Sequence, residues 1–180
     1  MNIPKIFSTK ERLEIVNFVI YKTESLNVNK VASELKLSKG LVSKFFDILI
    51  KEGILKRTEN KFQTRDNNNT QAIKIMLNLE NFNTKIFKKY NFIKSVGLYG
   101  SFVKGKNTEE SDIDLWILIE KTKEENLAKL TNDLKKKYKD AKPLYLTKEK
   151  LKILKKEDTI FYYSLFFGSI IIYGEELETI

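Results

Sequence analysis

The sequence predicts an α+β chain in two parts: a helical N-terminal unit closed by a hairpin, and a larger C-terminal unit built on a mixed sheet. Three observations predict it. Residues 9–64 run through three helix-period patterns into two short strand patterns. Asp66 to Thr70, DNNNT, is pure turn chemistry. From Val96 onward, short apolar strands alternate with amphipathic helices.

The first helix is expected from about Thr9 to Tyr21, capped by Ser8 or Thr9, with Leu13, Val16 and Ile20 as its buried stripe. A second helix, Val28 to Leu35, presents Val31, Ala32 and Leu35. After a turn at Lys36 and Leu37, Ser38 caps a third helix that reaches Glu52 and ends at Gly53. Ile54–Arg57 and Lys61–Thr64 then read as a hairpin around Glu59 and Asn60. Helix, helix-turn-helix, hairpin is the element order of a winged helix. In the third helix Val42, Phe46 and Leu49 fall at i, i+4 and i+7, the core side of a recognition helix. VSKFFDILIKEGIL resembles winged-helix regulators of the MarR and ArsR kind. Lys39, Ser43 and Lys44 on the polar side, with Arg57 and Lys61 on the hairpin, are the candidate contacts to duplex DNA. A helical bundle that only packs on its neighbour is the competing reading. Asp47 on the phosphate-facing side favours it, as do Leu41, Phe45 and Ile48, which widen the apolar arc into surface for docking on the second domain or a second subunit.

The division expected is 1–66 for the winged helix-turn-helix domain, 67–81 for a linker helix region and 82–180 for the second domain. Helical patterns are expected at about Gln71–Asn78 and Phe82–Tyr90. Then come a short apolar run, Val96–Tyr99, and the stretch GSFVKGKNTEESDIDLWILI from Gly100 to Ile119. Ile113, Leu115, Ile117 and Ile119 alternate with Asp112, Asp114 and Trp116, so the two carboxylates share one face of a strand. Two such carboxylates repel unless a cation sits between them. Oxygen-only ligands suit a hard ion such as Mg²⁺, which keeps positions for water and phosphate oxygens. Gly100 lets the backbone approach those phosphates, and the Ser101 hydroxyl can donate to them. Beyond this strand, Lys123–Tyr138 reads as a helix on Leu127, Leu130 and Leu134, with Lys135, Lys136 and Lys137 as its solvated C-terminal face. Lys142–Leu146 is a strand, Lys148–Lys155 and Thr159–Phe167 are helices, and Ser169–Tyr173 is a closing strand. Phe161, Tyr162 and Phe166 are read mainly as packing residues.

Gly100-Ser101, ten residues, then Asp112-Ile113-Asp114 resembles the GS-x10-DxD signature of the polymerase-β-type nucleotidyltransferases. Gly97-Leu98-Tyr99, Gly105, Ser111 and Leu115 match the minimal members of that superfamily. The resemblance covers residues 82–180. It implies a small α/β nucleotidyltransferase core, with Asp112 and Asp114 as catalytic Mg²⁺ ligands. It also implies a nucleotide site drawing on Gly100, Ser101, Lys104, Lys106 and Ser111, and transfer of a nucleotide, ATP being the commonest donor, to a hydroxyl acceptor. Minimal members in toxin–antitoxin pairs suggest a toxin-like protein partner. The alternative is a DNA-binding transcriptional regulator whose second domain only senses nucleotide. One departure is visible. Full-activity relatives carry a third carboxylate on the strand after the DxD helix, where this chain has Pro143-Leu144-Tyr145-Leu146. Asp140 and Glu149 flank that strand, and Tyr145 marks the strand face to be tested for a view of the metals.

Composition narrows the chemistry. With no cysteine and no histidine, disulfides, thiolate sites, imidazole ligands and histidine acid–base catalysis are excluded. Net charge is +9, divided as +5 over residues 1–80 and +4 over residues 81–180, so the basicity is spread and supports a polyanionic partner only weakly. The N-terminus lacks the apolar core of a signal peptide, and Phe161–Tyr173 is too short to span a bilayer, so a cytoplasmic protein without membrane association is expected.

Overall fold

A computed structural model describes residues 1–175. The chain divides into two compact units, one comprising residues 1–77 and 105–110, the other residues 78–104 and the chain from Ser111 onward.

The first unit contains α1 (Ile3–Ile6), α2 (Lys10–Val19), α3 (Val28–Leu35), α4 (Lys39–Lys51), β1 (Leu55–Thr58), β2 (Lys61–Thr64) and the start of α5 (Asn68–Asn81). Side-chain caps set where the helices begin. Thr9 accepts from the Arg12 amide, Asn27 from Lys30 and Ser38 from Leu41, each cap worth about 1 kcal/mol. Gly53, at φ +75°, ends α4, and the Ile54 amide reaches back to the Leu49 carbonyl. Strands β1 and β2 pair antiparallel, and Leu26 adds an isolated antiparallel bridge beside them by exchanging both backbone hydrogen bonds with Phe62. Ile15, Val16, Val19, Ile20, Phe46, Leu49, Ile54 and Phe62 fill the core.

Three local expectations change here. Leu13 is 38 % exposed, because the buried stripe of α2 is Ile15, Val16, Val19 and Ile20, and Leu13 sits about 200° around the helix from Ile15. Phe45 is not spare docking surface: it is buried in the unit's own core with the Arg12 guanidinium over its ring, and α1, unforeseen from the sequence, contributes Ile6 to the same core. The DNNNT stretch, read as turn chemistry, carries the start of a helix. Asn67 accepts from the Thr70 amide and donates to the Gly53 carbonyl at 2.8 Å, so α5 begins at Asn68.

Segment 105–110 packs within this first unit. The buried Lys74 donates to the Asn107 carbonyl at 2.7 Å, the Glu109 amide to the Tyr21 carbonyl, and Lys22 pairs with Glu109. Gly105, at φ +63°, is needed there, since a Cβ would lie 2.6 Å from the Gln71 Cα.

The second unit holds a 3-10 stretch (Thr84–Lys89), β3 (Ile93–Leu98), α6 (Ser101–Lys104), β4 (Ile113–Ile119), α7 (Glu124–Lys137), β5 (Ala141–Leu146), α8 (Lys148–Glu157), α9 (Thr159–Phe167) and β6 (Ile170–Gly174). Its sheet is mixed, in the order β5-β4-β3-β6: β3 runs antiparallel to β4 and β6, and β4 parallel to β5. The expected helix over 82–90 is the shorter 3-10 stretch, begun by the Asn83 side chain. Alternation divides β4 between two layers. Leu115 and Ile117 pack with Leu130 and Leu134 of α7, whereas Trp116 and Leu118 pack with Leu151 of α8 and Tyr162 and Leu165 of α9. Trp116 is fully buried, donates from Nε1 to the Ser169 hydroxyl at 2.8 Å, and lies over Gly97 of β3. In α9, Tyr162 is buried and Phe161 and Phe166 are half-buried, in keeping with packing, while Ile160 and Phe167 face solvent. Among the described residues no helix is long and apolar enough to cross a membrane.

Candidate active site

Strand β3 ends at Leu98, and the Tyr99 amide still pairs with the Asp114 carbonyl at 3.1 Å. The chain then turns at Gly100, φ +73°, into α6. This turn carries the backbone of Gly100 against the Asp114 side chain: a Cβ at Gly100 would sit 3.3 Å from the Asp114 Cγ and nearer still to Oδ2. Glycine is therefore required twice over, for the left-handed conformation and for the close approach. Phe102 anchors the turn from behind, its carbonyl accepting from Asn78 Nδ2 at 2.9 Å.

Asp112 immediately precedes β4 and Asp114 is its second residue; both are half-buried. Lys142 of β5 stands in register with Asp114, and its Nζ lies 2.5 Å from Asp112 Oδ2. Burial raises the Asp114 carboxyl above its ordinary pKa and the charge of Asp112 raises it further, against a smaller opposing pull from Lys142. Burial also raises the neighbouring Tyr99 phenol, with Asp114 adding to the shift. A cavity of about 460 Å³ opens beside Asp114, with Tyr99, Lys135, Lys142 and Leu144 in its wall. Lys135, expected to serve only a solvated helix end, thus lines the same cavity as Asp114.

Sequence expectations for this region meet different fates. Gly100, Asp112 and Asp114 come together, and Ser101 opens α6 directly after the turn. Ser111 is half-buried next to Asp112 in the chain. Lys104 ends α6 and is exposed, and Lys106 is an exposed residue of segment 105–110, which packs with the first unit. Tyr145 lies on the face of β5 opposite Asp114 by strand alternation, although it also lines the cavity beside that carboxylate. It pairs with Ile117, and its hydroxyl meets Thr131 Oγ1 of α7 at 2.9 Å; the positions on the Asp114 side are Lys142 and Leu144. Glu149 lines a separate cavity at the other end of the sheet, with Ser95, Ile119 and Thr147. Lys142 went unrecognised in the sequence because its place beside Asp112 and Asp114 depends on the parallel register between β4 and β5, which no local pattern encodes. On the first unit, Lys39, Ser43, Lys44, Arg57 and Lys61 are all exposed, and Arg57 is steadied by the Glu59 carbonyl and the Phe62 ring.

A half-buried carboxylate whose charge is disfavoured by burial and by a second carboxylate gains most from a bound cation. The donor set, two aspartates with backbone groups close by, fits a hard divalent ion. Residues 81–178 match the family described as polymerase beta, nucleotidyltransferase. No curated protein matches the chain.

Proposed function

Because the chain belongs to the polymerase beta nucleotidyltransferase family, we propose that it transfers a nucleotide, AMP from ATP, to a hydroxyl acceptor through the Asp112–Asp114 site, and that its first unit is a winged helix that binds duplex DNA. The observation that carries the catalytic half is the convergence of Gly100 and the Asp112–Asp114 pair. A backbone turn free of any side chain lies against Asp114, whose carboxylate is coupled to that of Asp112 and borders a cavity.

Asp112 and Asp114 would hold Mg²⁺, which when bound neutralises charge on the phosphate oxygens. The Gly100 turn and the Ser101 hydroxyl and amide offer donors to the triphosphate, with Lys104, Lys106 and Ser111 as further nucleotide contacts. In the transfer, the acceptor oxygen bonds to the α-phosphorus and loses its proton to solvent. The bond from that phosphorus to the bridging oxygen breaks, and pyrophosphate leaves. Positioning and charge neutralisation do the catalytic work, in keeping with a chain that has no histidine or cysteine.

For the first unit, the element order and the exposed Lys39, Ser43 and Lys44 on α4, with Arg57 and Lys61 on the hairpin, support DNA contact. A toxin-like protein is the proposed acceptor class.

Full-length protein incubated with Mg²⁺, cell lysate and ATP labelled at either the α- or the γ-phosphate tests the catalytic half. Label should enter a macromolecule from the α position only. Transfer of γ-label, or no transfer to any acceptor together with no MgATP binding, would contradict it.

A further inference from the structure

We propose that Lys142 serves as a fixed cation in this site, taking the place of a second metal ion, so that the nucleotidyltransferase centre operates with one divalent ion. The proposal rests on the catalytic reading above and adds a positioning residue to it. Two-metal sites clamp the attacking and leaving oxygens with a pair of ions that share carboxylates. That arrangement needs negative charge enough for two divalent ions and free carboxylate oxygens to bridge them.

Neither condition is met here. Lys142 projects from β5 at the position paired with Asp114, and its ammonium, 2.5 Å from Asp112 Oδ2, occupies one of the oxygens a bridging carboxylate would offer. Asp112, Asp114 and Lys142 together carry a charge of −1, where three carboxylates would carry −3, and Lys135 in the wall of the adjoining cavity adds no negative charge. The next residue on the same face of β5 is Leu144. It pairs with Trp116 and packs in the apolar layer with Leu146 and Tyr162, so that strand supplies no acid further along. Among the described residues no group of three or more Asp, Glu, His or Cys side chains is placed to hold a metal.

The same register explains the choice of residue. A parallel strand at the sheet edge presents residue 142 squarely to Asp114, and a flexible four-carbon stem carries its charge on to Asp112. Lys142 orients Asp112 and supplies the positive charge on that side of the site, while the remaining carboxylate oxygens stay available to a single divalent ion.

The test counts ions. Full-length wild type, Lys142→Asp and Lys142→Arg are each titrated with Mn²⁺ in the presence of a saturating non-hydrolysable ATP analogue, free Mn²⁺ being read by electron paramagnetic resonance. Wild type and Lys142→Arg should bind one Mn²⁺ per chain, and Lys142→Asp should bind two. Circular dichroism establishes that each variant is folded, and the wild-type stoichiometry is decisive even if Lys142→Asp does not fold. Two Mn²⁺ per wild-type chain, or one in a folded Lys142→Asp, would overturn the fixed-cation role and leave the nucleotidyltransferase reading standing. Wild type that binds neither analogue nor Mn²⁺ would overturn both.

Discussion

Replacing Gly100 by alanine separates the fold from the site more sharply than any other single change. The backbone there is at φ +73°, a conformation that costs a side-chain-bearing residue about 1–2 kcal/mol. For a chain of this size each kcal/mol lowers Tm by about 2–4 °C, so a fall of about 2–8 °C is expected in the unfolding of the second unit. The new Cβ would lie 3.3 Å from Asp114 Cγ and closer to Oδ2. That carboxylate is the end of a rotatable side chain, so it swings aside and adds little to the stability cost. Its displacement by about 1 Å, however, is enough to cost on the order of 10²-fold in a reaction that depends on positioning. Gly100→Ala should therefore stay folded, lose a few degrees by scanning calorimetry, and lose MgATP binding by titration calorimetry out of proportion to that loss. Unchanged MgATP affinity in a variant with the expected Tm drop would show that Asp114 and the Gly100 turn do not form the nucleotide site.

Other expectations are equally direct. Because burial and the charge of Asp112 raise the Asp114 pKa in the folded state, the folded chain holds that proton more tightly than the unfolded chain. Metal-free stability from this group is thus full below the ordinary carboxylate pKa and is lost as pH rises through the elevated folded value. Asp114→Asn should match or exceed wild type in metal-free Tm at pH 7 and lose this acid-range decline; a lower Tm at pH 7 would contradict it. Gly97→Ala would set a methyl 2.5 Å from Trp116 Nε1 and nearer to two ring carbons. Overpacking of this kind costs about 1–3 kcal/mol, and denaturant melts should show it, with tryptophan fluorescence reporting on the site of damage. In the first unit, Lys44→Ala and Arg57→Ala should weaken binding to duplex DNA nearly uniformly across sequences, each reducing the slope of log affinity against log salt by about one. Wild-type affinity independent of salt would instead favour a protein-packing role for that unit.

Much of this architecture was legible because it is written in short-range chemistry. Thr9 and Ser38 announce helix starts and Gly53 an end, and the alternation through Ile113–Ile119 separates the two layers of the second unit. The Gly100 to Asp114 signature predicts a shared site for the same reason, since one turn and one strand carry all of it. What was not legible depends on long-range register or on competing partners. Leu13 looked buried because a helix can bury more than one arc, and only packing chooses among them. Phe45 looked surplus until α1 enlarged the core. The DNNNT stretch reads as linker from composition, yet Asn67 uses the same turn chemistry to cap α5. Tyr145 and Lys142 exchanged importance because the face each occupies follows from the pairing of Asp114 with Lys142 across β4 and β5.

The central claim, that Asp112 and Asp114 bind the metal-bound triphosphate, is tested most directly by titration calorimetry. ATP is added to the full-length wild type, Asp112→Asn and Asp114→Asn, each with Mg²⁺ and with the metal chelated. Wild type should bind ATP only when Mg²⁺ is present, and both variants should lose that metal-dependent binding while remaining folded. Equal MgATP binding by all three proteins, or wild-type binding that is indifferent to Mg²⁺, would contradict the assignment.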